Sequence, residues 1–259
     1  MNVMIKFRSL LFFILFLCAF SKVAAATTSQ VTVYLDAVEV TQLNYDTSIR
    51  LYRVLSDTLY QEKLNASDIN WQSAALYHPR DIILQKHQII PQLEQQISLV
   101  PKRERIKWQR VIEQLRLWHY AQRVETPIDI DLAWVNPDHN PALPGEWQLY
   151  LHTNHSRYID VMGNIANPQR ITWQPLSSAA KYIQEAGGLI GDAEFAYVIG
   201  PDGALSQHAV GDWQRQFKNI APGSIIYVPL PSQAGSQYGA TSESDANQLV
   251  IQLLKNRLP

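Results

Sequence analysis

The sequence predicts an α+β fold of two similar units in tandem, the first enlarged by a helical insert. Three observations carry this expectation. Residues 158–229 read as a strand, a helix and several short strands; residues 31–151 follow the same plan; and the first copy holds extra residues with helical apolar spacing.

In the second unit, Tyr158 to Ile165 (YIDVMGNI) alternates as a strand that breaks at Gly163 and Pro168. Ser177 to Ala186 reads as a helix, with Ser177 or Ser178 available to cap its start and Gly187-Gly188 suited to the left-handed turn that ends it. Ala196 to Ile199 is a short strand, Pro201-Asp202-Gly203 a turn, and Pro222-Gly223-Ser224 leads into a last strand, Ile225 to Pro229. In the first unit Val31 to Leu35 is a strand and Ser48 to Leu59 a helix, with Leu51, Val54, Leu55 and Leu59 on one side. Pro144-Gly145 opens an alternating strand as Pro222-Gly223 does, 78 residues earlier, whereas the leading strands near Tyr34 and Val161 lie 127 apart. The first unit thus carries an excess of 49 residues.

A helical hairpin over about 79–122 fills that excess. Ile106, Trp108, Val111, Ile112, Leu115 and Trp118 fall on one helix face, Pro101 suits a first turn, and Pro91 is expected to kink the earlier helix or start a new one. At the other end, Asn247 to Leu258 places Leu249, Val250, Leu253, Leu254 and Leu258 on one face. That face must be covered by the chain's own body, by a neighbour or by a membrane surface. Pro231 to Ser244, rich in Ser, Gly and Gln, reads as its link.

Residues 1–26 read as a secretory signal peptide cleaved near Ala26: Lys6 and Arg8, an apolar run from Leu10 to Phe20, then Ala24 to Ala26. The run is shorter than the roughly 18 residues of a spanning helix, and Leu17 occupies the place where a lipidated Cys18 would be preceded by a small residue. The mature chain then has 233 residues with 19 basic and 23 acidic side chains and no cysteine. Thiol catalysis, disulfides and cysteine metal sites are excluded from it, and a strongly basic nucleic-acid binder is not expected. The domains expected are 27–152 with its insert, 153–230, and 231–259 as link and amphipathic helix.

The second-unit pieces Val161-Met162-Gly163, Glu185-Ala186-Gly187-Gly188, Val198 to Gly203 and Pro222 to Val228 resemble the SLBB form of the β-grasp (ubiquitin-like) fold used by polysaccharide export proteins. With Asn140 to Gly145, Trp213 and Leu249 to Pro259, nearly the whole mature chain is similar to the capsule-biosynthesis GfcC family and its YjbG-like members. The resemblance implies two tandem β-grasp domains, a hairpin inserted in the first, and a C-terminal amphipathic helix. It implies a periplasmic, non-catalytic accessory role in capsule or exopolysaccharide assembly or secretion, beside a Wza-type exporter and without a cofactor. Relatives carry an arginine where the hairpin returns to the sheet, in a stretch like V-T-G-R. Here that stretch is Tyr120-Ala121-Gln122-Arg123, with Gln122 in the glycine's place. The loop Ile69-Asn70-Trp71-Gln72 also departs from the Pro-Gly turn of relatives.

Arg123 and Trp213 are therefore candidate binding residues, Trp213 being a core candidate too. Arg110 and Arg116 join them from the hairpin, where Lys102, Arg103, Arg105, Lys107, Arg110, Arg116 and Arg123 face only Glu104 and Glu113. This basic segment suits an acidic polysaccharide, anionic lipid or an acidic protein surface; the competing role is a solvated face with Glu113 paired to Lys107 or Arg116. The expected partners are polysaccharide or outer-membrane export proteins, with peripheral membrane contact through the final helix as a further option. His152 and His155 read as loop residues rather than metal ligands. The alternative function is a polysaccharide-modifying hydrolase with Asp129, Asp131 or Asp138 as its acid and base; such a pair must stand roughly 5–10 Å apart across a sugar.

Overall fold

The computed structural model describes residues 28–79, 82–98, 100–153, 158–211, 218–231 and 246–259. The leader-like segment 1–26, His155, Trp213 and nearly all of the link 231–244 lie outside the described residues. Among the described residues, no helix is long and apolar enough to cross a membrane.

The chain forms β1 (Ser29–Leu35), β2 (Val38–Tyr45), β3 (Ile49–Arg50), α1 (Leu51–Gln61), β4 (Ala75–His78), α2 (Ile82–Ser98), α3 (Lys102–Leu117), β5 (Gln122–Arg123), α4 (Ile130–Val135), β6 (Ala142–Leu143) and β7 (Gly145–Leu151). There follow β8 (Tyr158–Gly163), β9 (Gln169–Thr172), α5 (Ala179–Glu185), β10 (Phe195–Ile199), β11 (Leu205–Ala209), β12 (Ile225–Val228) and α6 (Ala246–Lys255). Two five-stranded mixed sheets result, in the orders β2-β1-β7-β4-β5 and β9-β8-β12-β10-β11. The orders match. In each unit an opening hairpin leads, and the last strand lies at the centre, parallel to the first (β1 with β7, β8 with β12). Gly145 and Gly223, of the two Pro-Gly pairs, both sit at positive φ, 82° and 88°.

In the first sheet Val31, Val33, Leu149 and Leu151 point into a core closed by Leu51, Val54 and Leu55 of α1. That helix starts at Leu51 rather than Ser48, because Ile49 and Arg50 are drawn into pairing with Leu143 and Ala142. In the second sheet Ile159, Val161, Val198, Ile226 and Val228 pack on Tyr182 and Ile183 of α5. The Ser178 hydroxyl accepts from the Lys181 amide, and Gly187 and Gly188 close the helix, donating to Gln184 and Ile183 carbonyls.

The hairpin packs on the second sheet. Trp108, Val111, Ile112 and Leu115 of α3, with Ile89, Leu93 and Ile97 of α2, share one core with Met162, Tyr197, Ile199 and Tyr227 on the outer face of the second sheet. The final helix lies in the same core, burying Leu249, Val250, Ile251, Leu253 and Leu254. Its apolar face is thus covered by the chain's own body. β12, parallel to β8 and antiparallel to β10, is buried at all four positions, as expected of a central strand covered on both faces. The Trp108 indole N–H donates to the Pro231 carbonyl at 2.7 Å.

Of the two alternatives expected at Pro91, the start of a new helix is not realised, since α2 runs through it as one helix. Other expectations are corrected. Ile106 is 53% exposed instead of buried. Lys107 pairs with Glu104 at 2.7 Å and Arg116 pairs with Glu94; Glu113 takes neither cation, because α2 and the first turn of α3 bring carboxylates nearer.

One polar side chain fastens the last helix. Asn247 is buried; its Oδ1 accepts from the Tyr227 hydroxyl (2.7 Å) and the Leu230 amide (2.9 Å), and its Nδ2 donates to the Leu230 carbonyl (2.8 Å). Replacing it with alanine leaves enclosed donors and an acceptor without these bonds, each costing about 1–3 kcal/mol. Asn247→Ala should lower stability by roughly 3 kcal/mol in urea titration, and an unchanged midpoint would show that α6 is held by its leucines alone.

Candidate functional site

The hairpin re-enters the first sheet through β5, whose Arg123 pairs in register with Tyr77 of β4. From there its side chain leaves the sheet and crosses to the second unit, where the guanidinium donates to the Pro201 carbonyl. The crossing depends on Gly203: at φ +82° it completes the turn after Pro201, and a Cβ there would lie 2.8 Å from Arg123 Cδ and Nε. The Arg123 amide also donates to Asn256 Oδ1 at 3.0 Å, tying β5 to the end of α6.

Arg123 lines a cavity of about 250 Å³ at the junction of the two units, together with Arg170, Arg257, Asp36, Asp160 and Tyr77. Each guanidinium lies over an aromatic ring: Arg123 over Tyr77 (5.7 Å), Arg170 over Tyr158 (5.9 Å) and Arg257 over Trp118 (4.4 Å). Planar cations suit such stacking and keep their edge donors free for acceptors.

Asp160 organises the floor. Arg170, opposite it in the β8–β9 register, donates from Nε at 2.8 Å and from Nη2 at 3.1 Å. Arg257 reaches the same carboxylate from beyond α6. Burial alone would raise the Asp160 carboxyl, but the bonds and charges of Arg170 and Arg257 outweigh it and hold the group below the usual carboxylate range. Arg257 Nη1 is enclosed and has no hydrogen-bond partner among the described residues.

The rim is built by the β1–β2 turn. Asp36 and Ala37 both adopt left-handed backbone, φ 49° and 66°, as a tight two-residue hairpin turn requires. Asp36 accepts from the Thr153 amide (3.1 Å) and hydroxyl (2.8 Å) and stands 3.7 Å from His152 Nδ1. Burial lowers the His152 pKa more than Asp36 raises it. The cavity therefore sets three guanidinium groups against two side-chain carboxylates, with Pro259 also on its wall.

The other sequence candidates lie elsewhere. Arg110 is exposed on α3, Arg116 is paired with Glu94, and neither lines the cavity. Asp129 caps α4, accepting from the Asp131 and Leu132 amides; Asp131 sits in the first turn of that helix and Asp138 in a short turn beyond it. They form no facing carboxylate pair around a cavity: Asp129 alone lines the neighbouring groove. No group of three metal-ligating side chains occurs among the described residues. Sequence reasoning missed Asp160, Arg170 and Arg257. The first two face each other across one hairpin, a signal that recognition of β9 would have supplied; Arg257 carries no local signal.

The chain belongs to a recognised class of protein. Residues 26–154 match the family model described as capsule biosynthesis GfcC, N-terminal, and residues 167–259 match its C-terminal counterpart. The chain belongs to the capsule-biosynthesis GfcC family. Among curated proteins it is similar to "Uncharacterized protein YjbG" of Escherichia coli (strain K12), 28% identical over 148 residues. That match spans 57% of this chain and 58% of the relative.

The Asp160 cluster has a pH signature. A carboxylate with a depressed folded pKa contributes stability above its unfolded value, near 3.9, and loses it as pH falls through the lower folded value. Asp160→Asn should cost about 1–3 kcal/mol at pH 7, since Arg257 and the more exposed Arg170 lose a half-buried partner. The gap from the native chain should narrow below about pH 4 as the native carboxyl protonates. Urea titrations at both pH values check this, and a constant gap would remove Asp160 as the charged keystone.

Proposed function

We propose that this chain is a periplasmic, non-catalytic accessory protein of capsule or exopolysaccharide assembly or secretion, acting by binding polysaccharide at the junction of two tandem β-grasp domains. The observation that carries the reading is the cavity in which the guanidinium groups of Arg123, Arg170 and Arg257 outnumber the side-chain carboxylates of Asp36 and Asp160. Membership of the capsule-biosynthesis family supplies the process, and the leader-like residues 1–26 support export. The β-grasp assignment rests on the shared strand order, with a helix between the opening hairpin and the remaining strands of each sheet. The domain limits that fit it are 27–152, with the hairpin insert about 79–122, and 153–230, followed by the link and α6 over 231–259.

The cavity's chemistry favours binding over hydrolysis. Asp160 is held ionised between two arginines, which suits neither a proton donor nor a nucleophile that must be free to reach a sugar carbon. Guanidinium forks recognise carboxylate or phosphate groups by paired hydrogen bonds. Arg123 is the main binding candidate. Trp213 stays a candidate on sequence grounds, and Arg110 and Arg116 are candidates for the approach of an acidic polymer or an export-protein partner. The buried face of α6 supports its role as a structural closure; membrane contact through it would require the helix to leave its core.

Two measurements test the reading. Incubated with the capsule polymer of its own cell, the protein should retain it on a sizing column without shortening it. Arg123→Ala should reduce binding at least tenfold, the loss of one charge-assisted fork at about 1.5–3 kcal/mol, with the melting temperature within a few degrees. Polymer shortening abolished by Asp129→Asn or Asp131→Asn would replace this reading with the hydrolase.

A further inference from the structure

We propose that the arginine cavity is one end of a longer cleft, which binds an extended glycan carrying a carboxylated sugar flanked by neutral ones. This deepens the polysaccharide-binding reading and rests on it.

A second space of about 790 Å³ lies on the other side of the 200–203 turn. Its walls are Trp71, Pro127 and Leu132 from the first unit and Leu205, Ser206 and His208 from the second. Gly200 and Pro201 border both spaces. Arg123 stands at the partition: its guanidinium faces the cavity, while its Cδ and Nε press on Gly203, which lines the groove. Arg123 donates to the carbonyl of Pro201, a residue that borders both spaces, and in the proposed cleft this bond is the partition.

The compartments differ in chemistry. In the cavity, Arg123 has a neutral carbonyl as its acceptor and no ion pair among the described residues. Its fork is the donor for one further anion, whereas Arg257 Nη1 is enclosed. At about 250 Å³ the cavity falls below the usual 300–1,000 Å³ of small-molecule sites, so it suits a single sugar ring rather than a chain. In the groove carboxylates outnumber cations, which disfavours a second acidic sugar: Glu125 pairs with Lys255 at 2.5 Å, while Asp129 caps α4 and Asp202 Oδ1 accepts from the Ala204 amide at 3.0 Å. What remains is apolar and weakly polar surface. The Trp71 ring is fixed by its indole N–H, which donates to the Ala66 carbonyl at 2.9 Å. An aromatic face held in this way suits the C–H face of a neutral sugar.

A carboxylate is a stronger acceptor for a guanidinium than a peptide carbonyl. A sugar acid in the cavity takes the place of Pro201 on Arg123, the partition opens, and the neighbouring neutral residues lie along the groove past Trp71. Charge is thus read at one subsite and chain length at the other.

The test uses the full chain and three defined probes: glucuronic acid, a hexasaccharide alternating glucuronic acid with N-acetylglucosamine, and the neutral hexasaccharide of N-acetylglucosamine. By calorimetry, with ligand-observed NMR for the monosaccharide, the acidic hexasaccharide should bind at least tenfold more tightly than the neutral one. Arg123→Gln should abolish that preference, and Arg123→Lys should leave an intermediate one. Trp71→Ala should weaken the acidic hexasaccharide at least fivefold and leave glucuronic acid unchanged. Equal binding of acidic and neutral hexasaccharides overturns the carboxylate subsite while leaving polysaccharide binding in place. Equal loss of monosaccharide and hexasaccharide in Trp71→Ala overturns the two-compartment cleft. Retention of none of the probes and no capsule polymer overturns the binding reading itself.

Discussion

The outer face of the second sheet is the surface on which the rest of the molecule depends. A five-stranded sheet with one helix needs only one face covered, and α5 covers it. Here the opposite face, carrying Met162, Tyr197, Ile199 and Tyr227, is equally apolar and is closed by two elements from far away in the chain. α2 and α3 come from inside the first unit and α6 from the end of the chain. Removing either would expose Val111 and Leu115, or Leu253 and Leu254, to water, at roughly 25 cal/mol for each Å² of apolar surface. The units are therefore joined by a shared core and not by a link.

That shared core decides where the charged groups stand. Arg123 follows α3 by six residues and Arg257 follows α6 by two, so both leave the apolar layer at the same border. The Tyr120–Arg257 bridge, with the Ala121 amide donating to Asn256, aligns the two exits side by side. Asp160 arrives from below on β8, already matched with Arg170 across its hairpin. Guanidinium groups crowded in this way would repel each other. A central carboxylate, stacked rings and one cross-unit carbonyl make the cluster tolerable, and the interaction of an incoming anion is stronger at this low-dielectric border than in water.

Most of the framework was legible because apolar periodicity reports burial directly. Helix α3 could be read from Trp108, Val111, Ile112 and Leu115, and the tandem repeat from the two Pro-Gly pairs, whose glycines share positive φ. The strand β2 was not read: it is an edge strand, with only Leu43 buried, so its alternation is diluted by solvent-facing positions on both sides. β4 and β5 are short and owe their pairing to the central β7 or to each other rather than to a pattern of their own. The site was half legible. Arg123 was reached through resemblance; Arg257 and Asp160, 97 residues apart, meet only because the final helix packs where it does.

The hairpin's excess of positive charge looked like the binding feature, yet several of its cations have other work. Arg105 donates to the Ser98 and Val100 carbonyls where α2 ends, and Lys86 donates to the Arg116 and Trp118 carbonyls where α3 ends. Such carbonyls lack intrahelical partners, so a cation there stabilises the helix end whatever the protein binds. Arg116 and Lys107 are matched by Glu94 and Glu104. Arg123 differs from them in place, not in charge. It has left the helix, its stem is confined by Gly203, and its fork faces a cavity with a carbonyl as its acceptor. A solvated charge on the hairpin surface is screened over about 8–10 Å at ordinary salt. A guanidinium held at a partly enclosed border is screened less and needs little reorganisation to meet an anion. Of the hairpin cations, Arg123 is therefore the one that the fold carries out of the helix and into the seam, where the proposed binding of an anion would engage it.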